Sequence, residues 1–139
     1  MILLIRGRSI STGKASGPLL VSPQPISFLS GVDPETGIIV EKGHPLMGTC
    51  IAGQVLAFPY GKGSTVGSYV LYALSRNGHA PSAIVNAEAE AIIATGAIIS
   101  EIPMIDRIEM PLSRLKNGTC VTVDGSLGEM EYDGDLNPA

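Results

Sequence analysis

Seventeen glycines and ten prolines divide this 139-residue chain into short apolar runs, which limits what the chain can fold into. Glycine and proline interrupt both helices and interior strands, so the pattern favours short strands joined by turns. No internal repeat or charged linker separates the runs, and the length fits one domain. We therefore expect a single domain over residues 1–139, with a frayed tail at 134–139.

Most of the apolar runs predict strands, with bounds set by flanking turn residues. The run at 49–58 is apolar on both faces, which predicts a central strand. Turn residues predict loops at 11–13 and at 30–37, where an Asp-Pro pair lies between glycines. The predicted strands cover 2–8, 15–21, 37–40, 49–58, 81–86, 98–105, 119–124 and 129–132.

Two segments have the spacing of helices. Apolar residues recur at 66, 69, 70, 73 and 74, and Asn77-Gly78 then predicts a left-handed helix end. Residues 88–95 predict a second, short helix that stops at Gly96, with Glu88 and Glu90 at its favourable N-terminal end. Two helices are too few for a doubly wound sheet. The pattern predicts a mixed, strand-rich α/β domain of the β/β/α type, with both helices on one side.

Composition excludes several classes of protein. The net charge of −4 and the absence of a basic run argue against nucleic-acid binding. No apolar stretch approaches the roughly 20 residues of a membrane span, and the N-terminus does not resemble a signal peptide. Hydrophobic residues make up 45% of the chain and charged residues 16%, which indicates a filled core or a surface partly covered by a partner.

The two cysteines, Cys50 and Cys120, lie in strand-like runs. Reduced, buried thiols are the expected state, and a cytoplasmic location follows from it. Two thiols are too few to hold an iron–sulfur cluster, which usually takes four thiolates.

The segment Gly61-Lys62-Gly63-Ser64-Thr65, called the glycine loop below, leads directly into the first predicted helix. One interpretation is a tight turn followed by a helix that Ser64 or Thr65 caps. The other is an anion site, because the first amides of a helix attract negative groups, glycines allow close approach and Lys62 adds a mobile positive charge. The spacing is not that of a Walker A loop, so ATP use has no support.

Other polar residues give weaker signals. His44 and His79 are predicted to be surface residues of loops. Asp33 lies in the glycine-flanked loop 30–37, where a turn-forming role is the simpler interpretation. No metal-binding spacing such as His-Glu-x-x-His is present.

Several segments together resemble a known family. The most specific are ISFLSGVDPETG at 26–37 and the glycine loop; the others are 44–48, 80–84, 96–98 and 102–103. With these segments the chain resembles, over nearly its whole length, the small, swivel-domain subunits of aconitase X-type dehydratases, most of all those of the archaeal phosphomevalonate branch. The resemblance implies a swivelling β/β/α domain like the mobile domain of aconitase. It also implies a larger catalytic partner subunit that carries a [4Fe-4S] cluster, so that no metal ligand comes from this chain.

The resemblance also implies roles for residues. In the wider aconitase superfamily a serine in a Gly-x-Gly-Ser-Ser/Thr loop is the catalytic base, and Ser64 matches it. Lys62, Gly63, Thr65 and Asp33 are then the expected substrate-binding residues. The arginine that usually follows the serine is missing here, so Lys62 or the partner would take over its role.

The implied reaction is the dehydration of (R)-5-phosphomevalonate, a small phosphorylated hydroxy acid, to trans-anhydromevalonate 5-phosphate. Two alternatives remain open at this point. One is a subunit of a cis-3-hydroxy-L-proline dehydratase, and the other is a free-standing anion-binding module.

Overall fold

The computed structural model describes residues 2–63 and 65–138, and Met1, Ser64 and Ala139 lie outside the described residues. The strands are β1 (Ile2–Arg6), β2 (Arg8–Ser11), β3 (Lys14–Val21), β4 (Ile26–Ser27), β5 (Val55–Phe58), β6 (Gly61–Lys62), β7 (Ala83–Asn86), β8 (Met104–Asp106), β9 (Cys120–Asp124) and β10 (Glu129–Asp133); the helices are α1 (Gly67–Arg76) and α2 (Ala91–Ile99), with a 3₁₀ turn at Leu112–Arg114. Eight of the strands form a mixed sheet in the order β1-β10-β9-β3-β5-β7-β8-β2, and β4 pairs with β6 in a separate two-stranded ladder.

The long sheet folds back on itself. Its two outermost strands, β1 and β2, are separated in the chain by Gly7 alone, so the two ends of the sheet must lie close together. A Cβ on Gly7 would lie 2.5 Å from the carbonyl oxygen of Asp106, which leaves room for glycine only. β3 joins the two halves, because its first part pairs antiparallel with β9 and its last part pairs parallel with β5.

Alternation along the central strands builds two hydrophobic cores. On β5, Val55 and Ala57 belong to the core between the two halves of the sheet, whereas Leu56 and Phe58 belong to the core under the helices. Successive side chains of a strand point to opposite faces, so one strand can serve both cores. The result is three layers, sheet, sheet and helices, which confirms the predicted β/β/α architecture.

The two helices contact each other closely at Gly96, in the interior of α2. A Cβ on Gly96 would lie 2.9 Å from Leu71 Cδ1 and 3.1 Å from Ser68 Cα of α1. The prediction that Gly96 stops the second helix is therefore wrong. The glycine is needed for close packing against α1, and α2 continues to Ile99.

Several strand predictions were too long. The segment predicted at 49–58 forms a strand only over Val55–Phe58, the one at 98–105 only over Met104–Asp106, and 37–40 makes isolated bridges. Ile98 and Ile99 belong to α2 instead, which shows that a short apolar run does not distinguish a buried strand from a helix. The predicted end of α1 is confirmed, since Gly78 has a positive φ of 75° directly after the C-cap Asn77.

The expected burial of the two cysteines is wrong. Both are free and exposed: Cys50 lies outside the named strands, where it makes an isolated bridge to Ile38, and Cys120 is the first residue of β9. In the tail, Asn137 exchanges backbone and side-chain hydrogen bonds with residues 113–115. Asn137 thereby fixes the C-terminal segment to the body of the domain.

Candidate functional site

The glycine loop lies between the N-terminal ends of the two helices. Its first residues, Gly61 and Lys62, pair in parallel with Ile26 and Ser27 of β4. A Cβ on Gly61 would overlap the side chain of Ile93 and lie 3.1 Å from Glu90 Oε1, at the start of α2. Only glycine fits at position 61. Because this glycine has no side chain, the loop can pack against α2 and still lead into α1.

Gly63 has a backbone conformation that side chains rarely adopt. Its φ is +99°, and a Cβ there would lie 2.9 Å from Ser27 Oγ. Ser27 Oγ itself donates a hydrogen bond to the carbonyl oxygen of Leu29, at 2.8 Å. The glycine therefore permits both the turn and the close approach of the loop to β4.

The two helix N-termini beside the loop differ in their capping. Glu90 caps α2, because its carboxylate accepts hydrogen bonds from the amides of Ile92 (3.0 Å) and Ile93 (2.6 Å). A negative charge therefore already occupies this end of α2, where the helix dipole favours it. The N-cap of α1 is Val66, whose apolar side chain makes no cap hydrogen bond. The expectation that Thr65 caps α1 is wrong, and Ser64 lies outside the described residues.

Thr65 is exposed at the start of α1, and its carbonyl oxygen accepts a hydrogen bond from Ser68 Oγ at 3.1 Å. This bond anchors the end of the glycine loop to the first turn of the helix. The backbone of Thr65 thus has a structural role.

Lys62 is paired, not a freely mobile charge as expected. Its Nζ lies 3.1 Å from Glu41 Oε2, and Glu41 Oε1 also accepts the amide of Ser27 at 3.3 Å. Partial burial acts to raise the pKa of Glu41, but the hydrogen bonds from Lys62 and Ser27 and the charge of Lys62 outweigh it, so the pKa is lowered. The surroundings of Glu41 therefore favour its ionised carboxylate.

Sequence reasoning did not identify Ser27 or Glu41 as residues of the site. Ser27 lies in the segment 26–37 that carries the resemblance, which was a usable signal. Glu41 is separated from Lys62 by 21 positions with two loops between them, so no local spacing connects the two residues.

Asp33 forms a turn, as the simpler interpretation held. Its Oδ1 accepts the amide of Glu35 at 2.9 Å. The turn contacts the far end of α1, where Asn77 Nδ2 donates to the carbonyl oxygen of Pro34. The same loop also reaches the partner of Lys62. Gly31, two residues before Asp33, packs against Glu41, since a Cβ on Gly31 would lie 3.0 Å from Glu41 Oε1.

His44 is buried, so its assignment as a surface residue is wrong. Its Nδ1 accepts the amide of Leu46 at 3.0 Å, which places the proton of the neutral ring on Nε2. Nε2 lies 3.2 Å from the carbonyl oxygen of Pro25 and 3.3 Å from Ser22 Oγ. The imidazole thus joins the segment before β4 to the loop that carries Glu41. His79, by contrast, is partly exposed.

The side chains of the described residues provide no donor set for a metal cluster. Among residues 2–63 and 65–138, no group of three or more His, Cys, Asp or Glu side chains could hold a metal ion. The same residues include no helix long and apolar enough to cross a membrane.

A groove of about 760 Å³ opens at the carboxyl ends of β3, β5 and β7. It is lined mainly by apolar side chains, among them Pro23, Pro59 and Leu112, and none of Asp33, Lys62, Gly63 and Thr65 lines it. We therefore assign the candidate site to the glycine loop and its contacts with Ser27 and Glu41.

The fold and the glycine loop together define a swivel domain of the aconitase type, and comparison with known proteins gives the family. A family profile described as the aconitase X swivel domain matches residues 4–132. The chain therefore belongs to the aconitase X swivel domain family, and the resemblance inferred from the sequence is confirmed.

Similar proteins include several named phosphomevalonate dehydratase small subunit. The one from Methanocella arvoryzae is 58% identical over 91% of this chain and 97% of its own length. The one from Thermococcus kodakarensis is 56% identical over 94% of this chain and 98% of its own. The name of these relatives implies a larger partner subunit.

Solved structures agree with the fold. The crystal structure of Thermococcus kodakaraensis aconitase X in its holo form contains a chain with a TM-score of 0.91 and 54% identity, covering 95% of this chain and 99% of that one. A relative solved by solution NMR has a TM-score of 0.84 and 43% identity over 95% of this chain and all of its own.

Proposed function

We propose that this chain is the small subunit of a two-subunit hydro-lyase that dehydrates (R)-5-phosphomevalonate to trans-anhydromevalonate 5-phosphate. The observation that carries the proposal is the identity of 58% with a phosphomevalonate dehydratase small subunit, which extends over nearly the full length of both chains. Conservation of the whole domain at this level favours the same partner and the same substrate. A cytoplasmic location belongs to the same proposal.

In this proposal Ser64 is the base that takes the proton from the carbon next to the substrate carboxylate, while the hydroxyl group leaves the neighbouring carbon. A serine is a very poor base unless positive potential stabilises its alkoxide. Two features support such a potential: the glycine loop leads into the N-terminus of α1, and Lys62 lies in the same loop.

Lys62, Gly63 and Thr65 are the proposed substrate contacts. Lys62 would pair with an anionic group of the substrate, and Gly63 would allow that group to approach the backbone. Asp33 keeps its proposed substrate role only through the resemblance, since its carboxylate is engaged in a turn. In this proposal a [4Fe-4S] cluster belongs to the larger subunit, and this chain supplies none of its ligands.

The first experiment is an anaerobic dehydration assay with (R)-5-phosphomevalonate. The chain co-expressed with a candidate large subunit is compared with each subunit alone. We expect turnover only in the pair, and loss of turnover with intact assembly in Ser64→Ala. Full activity of that variant would contradict the role of Ser64.

The same assay separates the alternatives. Turnover of cis-3-hydroxy-L-proline but not of the phosphorylated substrate would replace the proposed reaction. A chain that forms no complex, yet binds phosphate compounds alone, would identify an independent anion-binding module.

A further inference from the structure

Glu41 lies where three segments of the chain meet. Its Oε2 pairs with Lys62 Nζ at 3.1 Å, and its Oε1 accepts the amide of Ser27 at 3.3 Å. Its backbone carbonyl accepts the amide of His44 at 3.2 Å, which fixes the start of this side chain. Glu41 therefore determines where the ammonium group of Lys62 lies relative to β4 and the glycine loop.

The exposure of the two side chains makes the pair exchangeable. The side chain of Lys62 is 47% exposed, whereas that of Glu41 is 22% exposed. Lysine has a long flexible stem and can turn away, whereas Glu41 keeps the amide of Ser27 as a partner. An incoming anion can thus take Lys62 without leaving a carboxylate that has lost all its hydrogen bonds.

We propose that Glu41 is a positioning residue for Lys62. The carboxylate of Glu41 holds the ammonium group of Lys62 in place until an anionic group of the substrate replaces that carboxylate. The inference rests on the proposed function, because it requires Lys62 to contact the substrate. Glu41 then acts as a competitor that weakens anion binding and as a guide that keeps Lys62 in place.

The equilibrium part of the proposal is tested on the isolated chain, whose two cores are built from its own residues. Inorganic phosphate is titrated while the amide NMR signals of Lys62, Gly63 and Thr65 are followed. Removing the competing charge in Glu41→Gln should tighten phosphate binding by about two- to fivefold, as expected for a partly exposed ion pair. Lys62→Met should abolish the effect, so the double variant should behave like Lys62→Met alone.

Two further variants serve as controls. Glu41→Asp retains the charge and should bind phosphate more like the unmodified chain than Glu41→Gln does. Glu88→Gln removes a carboxylate from another ion pair, with Arg107 at 2.7 Å, and should leave phosphate binding unchanged. Unchanged or weaker binding in Glu41→Gln, the same gain in the Lys62→Met background, or no saturable binding in any variant would overturn the inference.

The assembled enzyme gives a second, separate readout. In the complex with the large subunit, Glu41→Gln should lower KM for the phosphorylated substrate by about two- to fivefold, and Glu41→Asp should restore it. A fall in kcat with unchanged KM would overturn the inference and leave the proposed function intact. If the complex has no dehydratase activity, the proposed function fails, and the phosphate titration still decides whether Glu41 controls Lys62.

Discussion

Lys62 is the charged residue of the glycine loop, and its substitution tests the proposed substrate contact. Lys62→Met removes the ammonium and keeps much of the aliphatic stem. A hydrogen bond between charged groups contributes about 1.5–3 kcal/mol, so kcat/KM of the assembled enzyme should fall by about 10- to 150-fold. Lys42→Met is the matched control, because it removes an exposed lysine next to Glu41 in the chain and should leave kcat/KM unchanged. Equal effects of both substitutions would indicate a general loss of positive charge and not a contact.

Gly63 tests the backbone of the same loop. Gly63→Ala combines an unfavourable φ of +99° with a Cβ 2.9 Å from Ser27 Oγ, so we expect the free energy of unfolding to fall by about 1–3 kcal/mol. Gly43→Ala is the control, since Gly43 also has a positive φ, +78°, but no atom within 4 Å of the added Cβ. It should incur only the backbone part of this cost, about 1 kcal/mol. Denaturant unfolding of both variants measures the difference, and an equal cost would mean that the contact with Ser27 is unimportant.

At the scale of elements, the contact between α1 and α2 fixes the helix that follows the glycine loop. Gly96→Ala gains about 1 kcal/mol in helix propensity but crowds Leu71 Cδ1 and Ser68 Cα, so a net loss of about 1 kcal/mol is expected. Gly96→Val should lose about 3 kcal/mol, because its branched side chain cannot avoid the backbone of α1. Thr95→Ala, on the exposed neighbour in α2, should be neutral. A stabilised Gly96→Ala would show that the helices move apart at little cost.

The elements also show what the sequence could and could not predict. The apolar spacing that predicts α1 and the Asn77-Gly78 pair that ends it are both patterns of residues close together in the sequence. The helix and its end were therefore predictable. The role of Gly96 was not, because a glycine that stops a helix and a glycine at a helix crossing have the same local sequence. The same limit applies to Glu41, His44 and Cys50, whose burial and partners depend on contacts between distant segments.

At the scale of the whole molecule, the composition left two interpretations, a filled core or a covered surface, and the structure has features of both. Two separate cores fill a domain of 139 residues. The helical layer nevertheless exposes Tyr69, Ile98 and Ile99, by 73%, 56% and 58%. No charged residue occurs between Ala91 and Ile99, which is unusual for a helix that faces water.

Stability in acid is a property of the whole domain that two carboxylates should influence. The pKa of Glu41 is lowered, since burial acts against ionisation but Lys62 and Ser27 outweigh it, and the pKa of Glu88 is lowered chiefly by its hydrogen bond with Arg107. A lowered pKa in the folded state means that the unfolded chain binds more protons in acid. The stabilisation is therefore complete above the unfolded pKa, near 4.3–4.5, and is lost as the pH falls through the folded value.

We therefore expect the free energy of unfolding to change little between pH 7 and about pH 5 through these groups, and to fall below about pH 4.5. Glu41→Gln should be less stable than the unmodified chain at pH 7, by up to about 1 kcal/mol, because Lys62 is nearly half exposed. The two proteins should converge in acid, where Glu41 is protonated in both states of the unmodified chain. Denaturant unfolding at pH 7, 5, 4 and 3 measures this convergence. A constant difference at every pH would mean that the side chain of Glu41 stabilises the fold by packing and not by its charge.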